Sequence, residues 1–173
     1  MDHWLGRMLA TLDVQILNYE VKKSDYDITG PPMKYKDQNE IFNELSKIWK
    51  RSALLMKQIC EANNIQYFHF LQPNQYLTGS KNLNEVELKQ AYHEKHPYKK
   101  GVEIGYPYLM KAGRELVKEG VNFYDLTQIF TKEKDQIYVD PCCHYNKKGY
   151  QIVNSEIAKL ISKKFEGLEE LEK

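Results

Sequence analysis

Two short segments, residues 65–71 and 121–124, constrain the fold most strongly, because each is apolar on both faces and bounded by turn residues. Segments of this kind are typical of strands in a parallel sheet, which helices cover on both sides. Between them, Leu109, Ala112 and Leu116 recur at helical spacing. Strand, helix and strand in this order indicate a βαβ unit, so the sequence predicts an α/β fold.

Other apolar residues at helical spacing predict further helices, separated by polar, Gly-rich and Pro-rich connections. These helices cover residues 3–20, 37–62, 84–93, 126–130 and 146–165. Residues 75–104 are polar and rich in Tyr and Lys, which favours a long, solvated excursion from the fold. Two predicted strands are few for a parallel sheet, so we expect this sheet to need further strands or a partner.

Composition excludes several classes of protein. A formal net charge of +1 gives no electrostatic reason to expect a nucleic-acid partner. No apolar run approaches the roughly 18 residues that a transmembrane helix requires, so no membrane span is predicted. The three cysteines, Cys60, Cys142 and Cys143, lack the spacing of a disulfide framework. The sequence leaves the compartment unassigned.

Asp140 and His144 stand four residues apart on a loop that contains Pro141 and leads into a predicted helix. A carboxylate beside an imidazole fixes its tautomer and leaves the second ring nitrogen free to accept a proton. Asn146 is a candidate N-cap for the helix that follows. The alternative interpretation is that Asp140 and His144 only cap that helix.

The other histidines and the paired cysteines are weaker candidates. A zinc site or a cysteine nucleophile at Cys142–Cys143 fits poorly, because adjacent cysteines rarely reach one tetrahedral ion. His93 and His96 lie three residues apart among charged neighbours, which favours a solvated surface over a metal site. His69, inside a predicted strand, is interpreted as a core residue. We therefore predict no metal and no cofactor.

Three segments together resemble the C-terminal half of an SGNH (GDSL-type) hydrolase, a family of lipases and acylhydrolases. They are residues 70–74 (Phe-Leu-Gln-Pro-Asn), 125–130 (Asp-Leu-Thr-Gln-Ile-Phe) and 138–150 (Tyr-Val-Asp-Pro-Cys-Cys-His-Tyr-Asn-Lys-Lys-Gly-Tyr). The resemblance implies a helix-rich, partial flavodoxin-like fold, a three-layer α/β/α arrangement with a short parallel sheet. It also implies ester hydrolysis by a Ser–His–Asp triad without a metal.

Carried over to this sequence, the resemblance makes Asp140 the orienting acid and His144 the general base. The spacing here is Asp-x-x-x-His, where the family has Asp-x-x-His. The family's Gly-Asp-Ser block, which carries the nucleophile, and the Gly and Asn blocks of its oxyanion hole are not matched in this chain. Those blocks lie N-terminal to the part of the family that the chain resembles.

The predicted organisation is a single, incomplete domain over residues 1–173. Its parts are an N-terminal helix and loop (1–36), the family-like region (37–165) and a charged tail (166–173). At the carboxyl end of the first strand, Gln72, Asn74 and Tyr76 are predicted to contact a small-molecule or carbohydrate ester.

Three hypotheses follow for function. In the first, the chain is the C-terminal part of a serine ester hydrolase and is inactive alone, because an N-terminal half supplies the nucleophile. In the second, it is a non-catalytic binding or assembly module that completes its sheet with a partner, for example as a homo-oligomer. In the third, it is an enzyme that uses an unorthodox serine such as Ser80.

Overall fold

The computed structural model describes residues 35–169. The chain divides after Lys36 into two units, and the helices and strands described below all belong to the second. The predicted helix at residues 3–20 and nearly all of the predicted loop at residues 22–36 lie outside the described residues, as does the end of the charged tail.

Between residues 35 and 169 the chain forms four helices and two strands. In chain order these are α1 (Gln38–Ala62), β1 (Phe68–Leu71), α2 (Glu85–Gln90), α3 (Pro97–Lys118), β2 (Asn122–Asp125) and α4 (Lys147–Glu169). The strands pair in parallel, with Phe68 opposite Asn122 and Leu71 opposite Asp125. The predicted α/β class is therefore confirmed, as a helix-rich fold around a short two-stranded parallel sheet.

Several helix ends form where the sequence predicts them. The Asp37 carboxylate accepts the amide hydrogen of Glu40 at 2.9 Å and begins α1. Asn64, at a φ of 57°, follows the end of that helix. The side chain of Asn146 accepts the Gly149 amide hydrogen at 2.9 Å, so Asn146 caps α4 as predicted.

Helix α3 begins at Pro97, three turns earlier than the predicted helical spacing indicates. Gly101, Gly105 and Pro107 are poor helix formers, so the sequence of this segment does not predict these turns. The turns form against α1: a Cβ added at Gly105 would lie 3.0 Å from ring carbons of Phe42. Close packing between the two helices therefore overrides local propensity.

Strand β1 is shorter than predicted, and both strands are less buried than predicted. Strand β1 begins at Phe68, and Ile65, which the prediction included, is 57% exposed. Both strands are only partly buried rather than covered on both faces. Residues 126–130 form turns instead of the predicted helix. The Asp125 carboxylate accepts the Thr127 amide hydrogen at 2.9 Å, which turns the chain locally instead of capping a helix.

The segment from residue 75 to 104 contributes several buried side chains to the fold, so it is not simply the solvated excursion that the sequence predicts. Lys81 and Glu87 within it have fully buried side chains. The Glu87 carboxylate accepts the amide hydrogens of Ile137 and Tyr138 at 2.9 and 3.0 Å. Ile137 and Tyr138 are themselves fully buried and precede Asp140. This segment therefore supports the chain that leads to the candidate site.

None of the helices between residues 35 and 169 combines the length and the apolar character that crossing a membrane requires.

Candidate active site

The loop that carries Asp140 and His144 is closed at its base by backbone pairing. Tyr138 and Tyr145 form an isolated antiparallel bridge. Next to it, the Val139 amide donates to the His144 carbonyl at 3.1 Å, and the Asn146 amide donates to the Ile137 carbonyl at 2.7 Å. These bonds hold the two ends of the loop together immediately before α4 begins.

Asp140 and His144 are in direct contact. His144 Nδ1 lies 2.6 Å from one carboxylate oxygen of Asp140, and the Cys142 amide donates to the other oxygen at 2.8 Å. Burial raises the pKa of Asp140, but the hydrogen bonds from the imidazole and the backbone amides outweigh it and hold that pKa below its usual value. The carboxylate is therefore ionised and accepts, so in the neutral form of the imidazole the hydrogen is on Nδ1 and the lone pair is on Nε2.

Cys143 makes the turn that returns the loop from Asp140 to His144. Its φ is 94°, in the left-handed region that residues other than glycine seldom adopt. Such a conformation costs on the order of 1–2 kcal/mol, which the surrounding hydrogen bonds must offset. The loop therefore brings His144 back to Asp140 despite the Asp-x-x-x-His spacing, and the imidazole remains accessible, with 59% of the side chain exposed.

Two glutamine side chains from other segments donate hydrogen bonds to the backbone of the loop. Gln75, which is buried, donates from Nε2 to the carbonyl of Asp140 at 2.9 Å and to that of Ala91 at 3.0 Å. Gln90 donates to the carbonyl of Val139 at 2.9 Å. Sequence reasoning missed both residues. The position of Gln75, directly after the predicted turn at the end of β1, is the one signal that pointed to it.

A cleft of about 620 Å³ lies beside this loop, between α1 and α3. Its lining residues come from both helices, from the end of β1 and from the loop itself. They are Phe42, Leu45, Ser46, Trp49, Asn74, Pro97, Tyr98, Gly101, Val102, Gly105, Tyr106, Leu109, Cys142 and Cys143. The volume is within the roughly 300–1,000 Å³ typical of small-molecule sites.

The three residues predicted to contact substrate lie in three different environments. Asn74 lines the cleft. Gln72 is exposed, with Nε2 4.0 Å from the Cys143 sulfur. Tyr76 does not line the cleft: it is 4% exposed and packs in a core cluster, and its hydroxyl accepts the His93 amide hydrogen at 3.4 Å. A tyrosine can serve the core as well as a pocket, and here the packing around Leu71 places it in the core.

Among the serines between residues 35 and 169, none forms a hydrogen bond with His144. Ser80 is fully buried and donates to the Thr127 carbonyl at 2.8 Å. Its hydroxyl is therefore closed to substrate, so Ser80 does not fit the role that the third hypothesis gives it. Ser46 lines the cleft, but its hydroxyl donates to the Asn43 carbonyl of its own helix at 2.8 Å.

Two other histidines, His69 and His96, have structural roles. His69 contacts the Tyr67 hydroxyl and packs at 4.6 Å, between ring centroids, against Trp49, and burial lowers its pKa. His96 is the N-cap of α3. Across residues 35–169 there is no group of three or more His, Cys, Asp or Glu side chains placed to hold a metal ion.

No protein-family model matches the chain, and no curated protein or solved structure is detectably similar to it.

Proposed function

We propose that this chain supplies the acid and base of a serine ester hydrolase of the SGNH type, with Asp140 as the orienting acid and His144 as the general base. The observation that carries the proposal is the 2.6 Å contact between the Asp140 carboxylate and His144 Nδ1 on a loop closed at both ends. A parallel sheet followed by an Asp/His loop and a last helix supports the same proposal, as does the resemblance of residues 70–74, 125–130 and 138–150.

In the proposed mechanism, His144 Nε2 accepts the proton of a serine hydroxyl as the oxygen attacks the ester carbonyl. The Asp140 carboxylate stabilises the imidazolium that forms and keeps the ring in one orientation. His144 then returns the proton to the leaving alcohol as the tetrahedral intermediate collapses. Water enters, and the same nitrogen acts as base for the hydrolysis of the acyl-enzyme.

The nucleophile and the oxyanion donors come, in this proposal, from outside residues 35–169. The resemblance places them N-terminal to the part that the chain matches. Each oxyanion donor is worth about 10²–10³ in rate, so the acid and base without them have little activity. We therefore expect this chain alone to be inactive or nearly so towards esters.

The test begins with the mass of the native protein in its source cells, measured by blot with an antibody against residues 137–150. A band well above 20.5 kDa identifies a longer product, whose esterase activity is then assayed. In that product, His144→Ala should reduce kcat by roughly 10⁴-fold or more.

The matched control is His93→Ala, because the His93 side chain is exposed and the hydrogen bonds of this residue are made by its backbone amide and carbonyl. It should leave activity unchanged. Activity that survives His144→Ala would overturn the proposal. A native mass of 20.5 kDa together with no esterase activity would do the same.

Two features favour the second hypothesis, a non-catalytic assembly module: an apolar surface on α1 and the edges of the short sheet. On α1, the side chains of Leu45, Ile48, Leu55 and Ile59 are 48–59% exposed. Within residues 35–169 the sheet has only two strands, so each strand has one edge open to further pairing. This function predicts a stable dimer of the chain. A monodisperse monomer in sedimentation at micromolar concentration would contradict it.

A further inference from the structure

We infer that the cleft between α1 and α3 binds the acyl chain of the substrate, and that this substrate is an uncharged ester of a straight, apolar acyl group. The position of the ester group in this inference rests on the proposed function. The apolar, uncharged character of the acyl group rests on the residues that line the cleft.

The walls of the cleft are apolar. Phe42, Leu45 and Trp49 face it from α1, and Val102 and Leu109 face it from α3. These side chains offer a hydrocarbon chain a surface that excludes water, which favours burial of each methylene. A sugar ring would need several hydrogen-bonding partners along these walls, so the structure favours the acyl group as the occupant.

Tyr106 also lines the cleft, but its hydroxyl is engaged elsewhere. It donates to the Gln72 carbonyl at 3.2 Å, so the ring rather than the hydroxyl is available to the cleft. Burial raises the pKa of Tyr106 to about 12, so the phenol stays neutral. Tyr106 therefore adds an uncharged, largely apolar surface to the same wall.

Gly101 adds to the open space in the cleft. A Cβ added at Gly101 would meet no atom within 4 Å, although this residue lies inside α3 and lines the cleft. A glycine inside a helix is costly relative to alanine, and here no close contact requires it. The missing side chain leaves room beside Val102, and a larger residue at position 101 would occupy the space that we assign to the acyl chain.

The polar end of the cleft coincides with the candidate site. Asn74, Cys142 and Cys143 are the lining residues at that end, and the Cys142 amide is hydrogen-bonded to Asp140. An acyl group lying along the apolar walls would therefore have its carbonyl next to the Asp140–His144 loop.

The absence of charged residues from the described lining of the cleft favours an ester over a free acid as the ligand. The residues around the cleft include no Asp, Glu, Lys, Arg or His, within the part of the chain that the structure describes. Burial raises the pKa of Cys143, so its thiol is also neutral. A free carboxylate or phosphate would find no cation here and would lose its hydration, whereas an ester would not.

Binding is tested with N-methyl alkanamides of 2, 6 and 10 acyl carbons, which are uncharged and are not hydrolysed by a triad acting on esters. Trp49 is the reporter, since the chain contains two tryptophans and Trp4→Phe leaves Trp49 alone. A terminally brominated C10 amide quenches tryptophan fluorescence on contact. Calorimetry with the unsubstituted chain gives the same affinities independently of the Trp4→Phe change.

We expect the brominated amide to quench Trp49, and affinity to rise with chain length by up to about fourfold per methylene. Gly101→Leu should weaken binding of the C10 amide by about tenfold or more, because its side chain takes the space of about two methylenes. Ala158→Leu, a change to the same residue at an exposed position of α4, should have no effect. Affinity that is independent of chain length, or of Gly101→Leu, would overturn the inference.

Failure of this inference and failure of the proposed function give different results. The amides bind without any step at His144, so their affinity does not depend on a working triad. Binding that rises with chain length, with no hydrolysis that depends on His144, would refute the proposed function alone. Hydrolysis that depends on His144 but is equal for acetyl and decanoyl esters would refute the acyl-chain assignment alone.

Discussion

Lys81 and Glu87 form an ion pair with Nζ 2.6 Å from Oε2, and the side chains of both residues are fully buried. Burial raises the pKa of Glu87, but the Lys81 ammonium and three backbone amides outweigh it, so that the pKa is held below its usual value. Two of these amides belong to Ile137 and Tyr138. The pair therefore connects the segment after β1 to the chain that leads into the Asp140–His144 loop.

Glu87→Gln should destabilise the protein strongly, because it leaves the Lys81 ammonium buried without a counter-charge. We expect the free energy of unfolding to fall by about 3–5 kcal/mol in urea denaturation. Glu61→Gln is the matched control, since Glu61 pairs with Lys57 at 2.6 Å but is 58% exposed. The control should cost less than about 1 kcal/mol. Equal losses in the two variants would contradict the assigned role of Glu87.

The same carboxylate predicts how stability depends on pH. Because the pKa of Glu87 is lower in the folded state, its contribution is complete above the ordinary carboxyl value of 4.5 and is lost as the pH falls through the lowered pKa. The free energy of unfolding should therefore fall on acidification below that value. Glu87→Gln should show a shallower fall over the same range, measured by denaturation at a series of pH values. Parallel curves would contradict this prediction.

Gly113 and Gly101, both in α3, should respond to alanine in opposite directions. A Cβ at Gly113 would lie 2.2 Å from Phe123 Cζ, and that ring packs against Trp49 with centroids 6.1 Å apart. Gly113→Ala should cost about 1–3 kcal/mol by overpacking. Gly101→Ala meets open space and should stabilise by about 0.5–1 kcal/mol. Thermal and urea denaturation measure both, and loss of stability in Gly101→Ala would contradict the described packing.

Gln75 should matter more to stability than Gln90, although both donate to the chain around Asp140. Gln75 is buried and serves two carbonyl groups, so Gln75→Leu should cost about 2 kcal/mol or more by leaving them without a donor. Gln90 is exposed, and water can replace its side chain, so Gln90→Ala should cost less than about 1 kcal/mol. Urea denaturation that ranks the two variants the other way would count against this role.

Asp140→Asn should change the tautomer of His144 without any activity assay. In the unsubstituted chain, ¹⁵N NMR should show the neutral ring with its hydrogen on Nδ1, because the ionised carboxylate accepts there. With asparagine, the Nε2–H form should increase. The exposed His93 should be unchanged in the same spectra. A hydrogen on Nε2 in the unsubstituted chain would contradict the proposed role of Asp140.

Local chemistry made much of the scaffold predictable. Asp37 and Asn146 are capping residues whose side chains satisfy backbone amides a few residues away, so neighbouring sequence is enough to identify them. The parallel pairing of β1 and β2 follows from two apolar segments with a helix between them. Asp140 and His144 are also close in sequence, and their contact needs only a loop that can turn, which Cys143 provides at a positive φ.

Features that depend on distant parts of the chain were not predictable. The first turns of α3 contain Gly101 and Gly105, which argue against a helix until Phe42 of α1 packs against Gly105. Lys81 and Glu87 look like solvated residues because their partners include backbone amides about 50 positions away. The cleft exists only once α1 and α3 are side by side, so no single segment indicates it.

The closed loop has a mechanical consequence. Asp140 and His144 are carried between the two sides of the Tyr138–Tyr145 bridge, just before the start of α4, so a shift of this loop moves the carboxylate and the imidazole together. Such a shift changes where the imidazole points while its contact with the carboxylate persists. In the proposed hydrolase, activity would thus depend on the distance between the serine and the paired Asp140 and His144 side chains, which move as one unit.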